Sequence, residues 1–226
     1  MKNKRFVFYL SLILNLWLVS CGPAILPAQN YAGTWTTNLG TINFVQDSYN
    51  LKGSMEGYGG FWSEVFNGAI NEQGIADFET EVLGNFSLKL DGDTFKSTSS
   101  DLSFCGIRGE NMELPTGCGF SGKWIATSKF LKNEGYLVLT QIGPSVTGDL
   151  YNALGDKYST FEGTVEWGKG WRANGIATQR GNLSLQVNAA ETGFELNYDE
   201  SGNPNQLCAI REGLESAYLS YFTCKP

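Results

Sequence analysis

The chain contains no histidine. That absence removes the Ser-His-Asp and Cys-His nucleophile systems and the usual zinc ligand sets together. Basic residues are also scarce: 16 Lys and Arg stand against 23 Asp and Glu, for a formal charge of −7. So acidic a chain lacks the positive face that neutralises phosphates, which argues against nucleic acid as a partner. It argues equally against electrostatic adhesion to anionic lipid. No apolar run reaches the roughly 20 residues that cross a bilayer as a helix. The longest, Phe6 to Val19, is about 14 residues and is interrupted only by Ser11 and Asn15.

That short run has a clear setting. Lys2, Lys4 and Arg5 precede it, and Leu18-Val19-Ser20-Cys21 follows it. A positive start, a short apolar core and small residues at a cut site describe an export signal over residues 1–20. Leu-Val-Ser-Cys resembles the lipobox of bacterial lipoproteins, which implies that Cys21 carries acyl chains of the palmitate type and becomes the mature N-terminus. Several acyl chains meet the two-signal requirement for stable anchoring. Residues 21–30, with Pro23 and Pro27, then read as a semi-extended tether. The expected address is a bacterial cell envelope, facing periplasm or exterior. Gly22, in place of the Asp that often retains lipoproteins at the inner membrane, favours an outer membrane where one exists. Removing Lys2, Lys4 and Arg5 with the leader takes the formal charge from −7 to −10 and leaves about 206 residues.

Those residues are rich in glycine (28) and aromatics (13%), a composition that favours short strands and tight turns. They also repeat. Gly33-x-Trp35, Gly40-x-Ile42-x-Phe44-x-Gln46 and Leu51-x-Gly53 return as Gly122-x-Trp124, Gly135-x-Leu137-x-Leu139-x-Gln141 and Val146-x-Gly148. Further on, Phe66-Asn67-Gly68 matches Phe161-Glu162-Gly163, and Gly84-Asn85-Phe86-Ser87-Leu88 matches Gly181-Asn182-Leu183-Ser184-Leu185. Phe95 matches Phe194, and Cys105-Gly106-Ile107-Arg108 matches Cys208-Ala209-Ile210-Arg211. Order is kept throughout, so the mature chain is read as two copies of one module, residues 31–121 and 122–226.

Within each copy the apolar residues alternate, as in Ile42, Phe44 or Leu183, Leu185, Val187, which is the period of a half-buried strand. Turn signals recur every 8 to 12 residues, for example Gln46-Asp47-Ser48, Gln73-Gly74 and Asp91-Gly92-Asp93. The expected fold is all-β: two tandem antiparallel up-and-down barrels of six to eight strands each. Closure also removes exposed sheet edges. Four cysteines lie beyond Cys21, an even count that reads as two disulfides in an exported chain. Each copy holds its own pair, so Cys105–Cys118 and Cys208–Cys224 are the simplest pairing; a swapped pairing between copies is the alternative.

A meander that opens on Gly-x-Trp is similar to the calycin barrels (avidins, lipocalins and small barrel inhibitors). Gly33-Thr34-Trp35-Thr36-Thr37-Asn38-Leu39-Gly40 and Leu51-Lys52-Gly53-Ser54 look particularly like the first strands of an avidin. The resemblance implies that Trp35 and Trp124 lie under the barrel floors, and that Arg108 and Arg211 pack across them. It does not carry biotin binding over, because the residues that hold biotin have no counterparts here.

Candidate binding residues are the aromatics on glycine turns: Tyr58, Phe61 and Trp62 in the first copy, Trp167 and Trp171 in the second. Such rings anchor partners or stack on sugars, or else they fill barrel ends or a seam between modules. The acidic residues Glu79, Glu81, Asp91, Asp93, Asp199 and Glu200 form no distinguished pair for glycoside chemistry, and Asp91-Gly92-Asp93 lacks the full oxygen-rich loop of a calcium site. No enzyme activity, cofactor or metal is expected. The expected role is non-catalytic binding of a protein partner, a glycan or a small ligand by a membrane-anchored protein. A structural subunit of an envelope assembly and a barrel-type protease inhibitor are the alternatives.

Overall fold

The computed structural model describes residues 29–98, 103–127, 133–168, 170–178, 181–188, 190–200 and 203–214. The export signal, Cys21, most of the tether and Cys224 lie outside the described residues. The fold is all-β, with two closed antiparallel barrels of eight strands in tandem. The first barrel runs β1 (Gly33–Thr37), β2 (Gly40–Asp47), β3 (Asn50–Gly57), β4 (Ser63–Ile70), β5 (Ile75–Thr80), β6 (Gly84–Asp91), β7 (Thr94–Ser97) and β8 (Cys105–Arg108). The second runs β9 (Gly122–Thr127), β10 (Asn133–Ile142), β11 (Ser145–Tyr151), β12 (Lys157–Gly168), β13 (Gly170–Ala177), β14 (Gly181–Val187), β15 (Gly193–Glu200) and β16 (Asn203–Arg211). Each strand pairs with the next, and β1 closes on β8 as β9 closes on β16.

The duplication holds in register as well as in sequence. Trp35 lies opposite Ile42 in the first barrel and Trp124 opposite Leu137 in the second. The two interiors are nonetheless filled differently. In the first, Phe44, Phe78 and Phe86 stack at centroid spacings of 5.4 and 5.1 Å, while Phe66 and Phe104 pack against them edge-on and Phe95 tilts against Phe104. The second is aliphatic, built on Leu137, Leu139, Val146, Leu183, Leu185 and Val187 around Phe161 and Phe194. Among the described residues, period two in the sequence therefore becomes a packed core.

The barrels meet end to end. One end of the first barrel carries the β1–β2 and β3–β4 connections, the latter holding a 3₁₀ turn at Tyr58–Gly60 that lies against β12. The facing end of the second barrel carries its N-terminal segment and the β10–β11 and β14–β15 turns. Tyr58 is buried in the second barrel's core cluster, and its hydroxyl donates to Thr37 O of its own barrel at 2.5 Å. The linker between the barrels joins this contact, with Leu114 N donating to Gln141 O.

Candidate functional site

Each barrel has a floor assembled from the repeated residues. The indole N–H of Trp35 donates to Tyr31 O at 2.8 Å, and that of Trp124 donates to Phe120 O at 2.9 Å. The Arg108 guanidinium lies 4.3 Å from the Trp35 ring centroid, and Arg211 lies 4.1 Å from Trp124. An arginine so placed over an indole contributes about 0.5–2 kcal/mol. The same arginines clamp the incoming chain: Arg108 donates to Asn30 O and Ala32 O, Arg211 to Gly119 O and Ser121 O. Gly33 and Gly122 sit at φ 114° and 132°, and a Cβ at either would come within 3.4 Å of an arginine Nη1. The floors are structural in both copies.

The repeated glutamine has a role that spacing alone did not reveal. Gln46 Oε1 accepts from Tyr31 N at 2.8 Å, and Gln141 Oε1 from Phe120 N at 3.1 Å. Tyr31 and Phe120 are thus equivalent plugs, each fully or nearly fully buried. The Tyr31 hydroxyl donates to Leu88 O at 2.7 Å, with Gly74 O also within reach at 2.9 Å, and burial pushes its pKa up to about 12.

The candidate aromatics do not form one platform. Tyr58 is buried in the seam, and burial raises its pKa. Trp62 is partly buried against the first barrel's core. Phe61 is 67% exposed beside it. Trp167 and Trp171 face each other across the β12–β13 pair; their side chains lie outside the described residues. Cys105 and Cys118 are joined, and Cys208 is also disulfide-bonded.

Two features were not foreseen. The first is Glu191, in the β14–β15 turn, whose carboxylate is buried in the seam. It accepts from Asn38 Nδ2, from Ser103 Oγ at 3.1 Å and from Gly119 N at 2.8 Å. Burial raises its pKa above the ordinary 4.5, and the contacts with Asn38, Gly119, Arg211 and Ser103 offset only part of that rise. Arg211 is the charged group acting on it, from β16; the other neighbours are an amide, a hydroxyl, a backbone N–H and the Cys105–Cys118 disulfide. A carboxyl whose seated pKa is raised takes up a proton on seating. The seam is therefore expected to be most stable in acid and to lose stability as pH rises from about 4.5 through the seated value. Thermal unfolding from pH 4 to 8 checks this: Glu191→Gln should flatten the slope, and an unchanged slope would locate the proton elsewhere.

The second feature is a shallow, open depression of about 690 Å³ on the outside of the first barrel, over β4, β5 and β6 and lined mostly by their outward residues. Register sets two rows across it: Asn67, Glu79 and Asn85 directly opposite one another, and Ala69, Asp77 and Ser87 beside them. Ser87 Oγ donates to Asp77 Oδ1 at 2.5 Å, fixing that carboxylate, and Thr98 closes one edge. In the second barrel the corresponding rows are Glu162, Ile176, Asn182 and Thr164, Asn174, Ser184, with Ile176 62% exposed where the first barrel has Glu79. The duplicated scaffold has therefore diverged most clearly on this face. Among the described residues no cluster of His, Cys, Asp or Glu could hold a metal ion. Compared with known families and with curated proteins, the chain matches no family model and no curated protein.

Proposed function

We propose that the chain is a lipid-anchored protein of a bacterial envelope that binds a neutral glycan, without catalysis, on the outer face of its first barrel. The observation that carries this reading is where the space lies. The first barrel's interior is filled by mutually stacked phenylalanines, and its mouth meets the second barrel, while the concavity over β4–β6 faces solvent. Its lining offers planar amides and carboxylates in transverse rows, the donors and acceptors that hydroxyl-rich ligands satisfy. Basic residues are absent from that lining, which disfavours anionic ligands.

A projecting N-terminal segment docked nowhere would favour the inhibitor alternative. Residues leading into β1 are instead docked under the floor, with Tyr31 fully buried and Asn30 O held by Arg108.

Titration calorimetry of the full chain in detergent with neutral oligosaccharides tests the reading. Asn67→Ala and Asn85→Ala are each expected to weaken binding by roughly tenfold, the loss of about one to two hydrogen bonds. Asn182→Ala, on the second barrel, should leave it unchanged. Binding indifferent to the first-barrel changes, or capture from native membranes of protein partners alone, would sink the glycan assignment.

A further inference from the structure

We infer that Glu191 and the Cys105–Cys118 disulfide form a redox-gated latch that holds the two barrels as one rigid body. The inference rests on the seam and is independent of the glycan reading. Within its own barrel Glu191 is an awkward choice. It sits at φ 53°, in the left-handed region that disfavours residues with a side chain. The equivalent position of the first barrel is Gly92, at φ 59°. The equivalence is fixed by the neighbours: Arg108 N donates to Asp93 O as Arg211 N donates to Thr192 O, one residue further on in each turn. Non-glycine residues in this conformation concentrate where the surroundings demand that particular side chain.

The demand comes from across the seam. Each hydrogen bond given for the Glu191 carboxylate comes from Asn38, Ser103 or Gly119, in the first barrel or the linker, and Cys105 Sγ lies 3.8 Å from it. The disulfide builds that socket. On one side Cys105 N donates to Asn38 Oδ1 at 3.1 Å, and Asn38 Nδ2 also donates to Ser103 O at 2.9 Å. On the other, Cys118 immediately precedes Gly119, and Ser121 N donates to Cys118 O. The cross-link thus holds the β8 wall and the linker wall of the socket at one spacing. Breaking it leaves a buried carboxylate facing a wall free to move away, and a buried acceptor deprived of donors is costly.

Cys105 and Cys118 are almost fully buried, and a crevice of about 260 Å³ whose lining includes Lys96, Ser103, Cys105, Gly117 and Ala190 borders the pair on the Cys105 side, so a reductant reaches the bond through local opening there. Lys96, opposite Cys105 in register, puts a positive charge on the lining of that crevice. The step requires a dithiol reductant. One of its thiolates attacks a sulfur of the pair, the S–S bond breaks, and its second thiol resolves the mixed disulfide. The reductant leaves as a disulfide, and Cys105 and Cys118 together gain two electrons and two protons.

Hydrogen exchange followed by mass spectrometry on the full chain in detergent reads the latch. In the oxidised wild type, the linker peptide 109–121 and the turn at 188–193 should be protected. Glu191→Gly restores the first barrel's turn residue, so both barrels should keep their strand protection while the linker and seam exchange at least tenfold faster. The Cys105→Ser/Cys118→Ser pair should do the same without reductant, which leaves the bond at Cys208 intact. Unchanged linker exchange in Glu191→Gly would overturn the latch, as would strand protection lost across the second barrel. Wholesale loss of strand protection in the double-serine chain would overturn the gate, making that disulfide part of the fold instead.

Discussion

Replacing Trp124 with alanine is expected to destabilise the protein by about 3–5 kcal/mol, the usual cost of emptying a large buried aromatic site. The same replacement at Trp35 should cost a similar amount. Both indoles are fully buried, and each bridges three elements: the plug carbonyl below, a phenylalanine at 4.7 or 5.2 Å, and the arginine above. Removing either leaves a plug carbonyl without its donor and a guanidinium over a void. Arg211→Ala should exceed Arg108→Ala in cost. Arg211 Nε donates to Glu191 O at 3.0 Å and so supports the seam, whereas Arg108 Nε pairs with the exposed Asp93 carboxylate. An exposed pair of that kind is worth little. Urea unfolding measures all four variants; a loss below about 1 kcal/mol at either tryptophan would show that the floor is not a core.

The second large effect concerns the cross-link. Closing a loop with a sequence separation of 13 restricts the unfolded chain by roughly 3 kcal/mol on the entropy model. The Cys105→Ser/Cys118→Ser chain should therefore unfold with a Tm lower by about 10 °C. Part of that loss should be recovered on acidification, because a protonated Glu191 is less costly to leave with fewer donors. A stability loss that is indifferent to pH would separate the disulfide from the carboxyl beside it.

Much of this architecture was legible in the residues. Gly-x-Trp, returning with a late arginine, marked two equivalent modules, and the likeness to calycin barrels implied that each has a tryptophan floor under an arginine. The module logic of the cysteines also gave Cys105–Cys118 correctly. The six-to-eight-strand range narrows to eight in each barrel. What stayed hidden lay in contacts between distant turns. Nothing in Ala190-Glu191-Thr192 announces a buried carboxylate; the one signal was a glutamate where the other copy has Gly92, and it carries meaning only once both turns are known to be left-handed. The Asn67–Glu79–Asn85 row was equally unreadable, since cross-strand neighbours depend on register that alternation alone does not fix. Tyr58, offered by its glycine bend as either a binding ring or a seam filler, is a seam residue, because a second barrel covers it.

Duplication with divergence accounts for the structural asymmetry between the barrels. The shared floor keeps each barrel closed, while the outer face of the first and the β14–β15 turn of the second have each acquired what the other lacks. Exchange of the tryptophan indole protons, followed by nitrogen-15 NMR, probes that shared floor directly. Two indole resonances, assigned by Trp35→Phe and Trp124→Phe, are expected to exchange slowly and to a similar degree. Rapid exchange of either one would mean that the two copies do not share a floor.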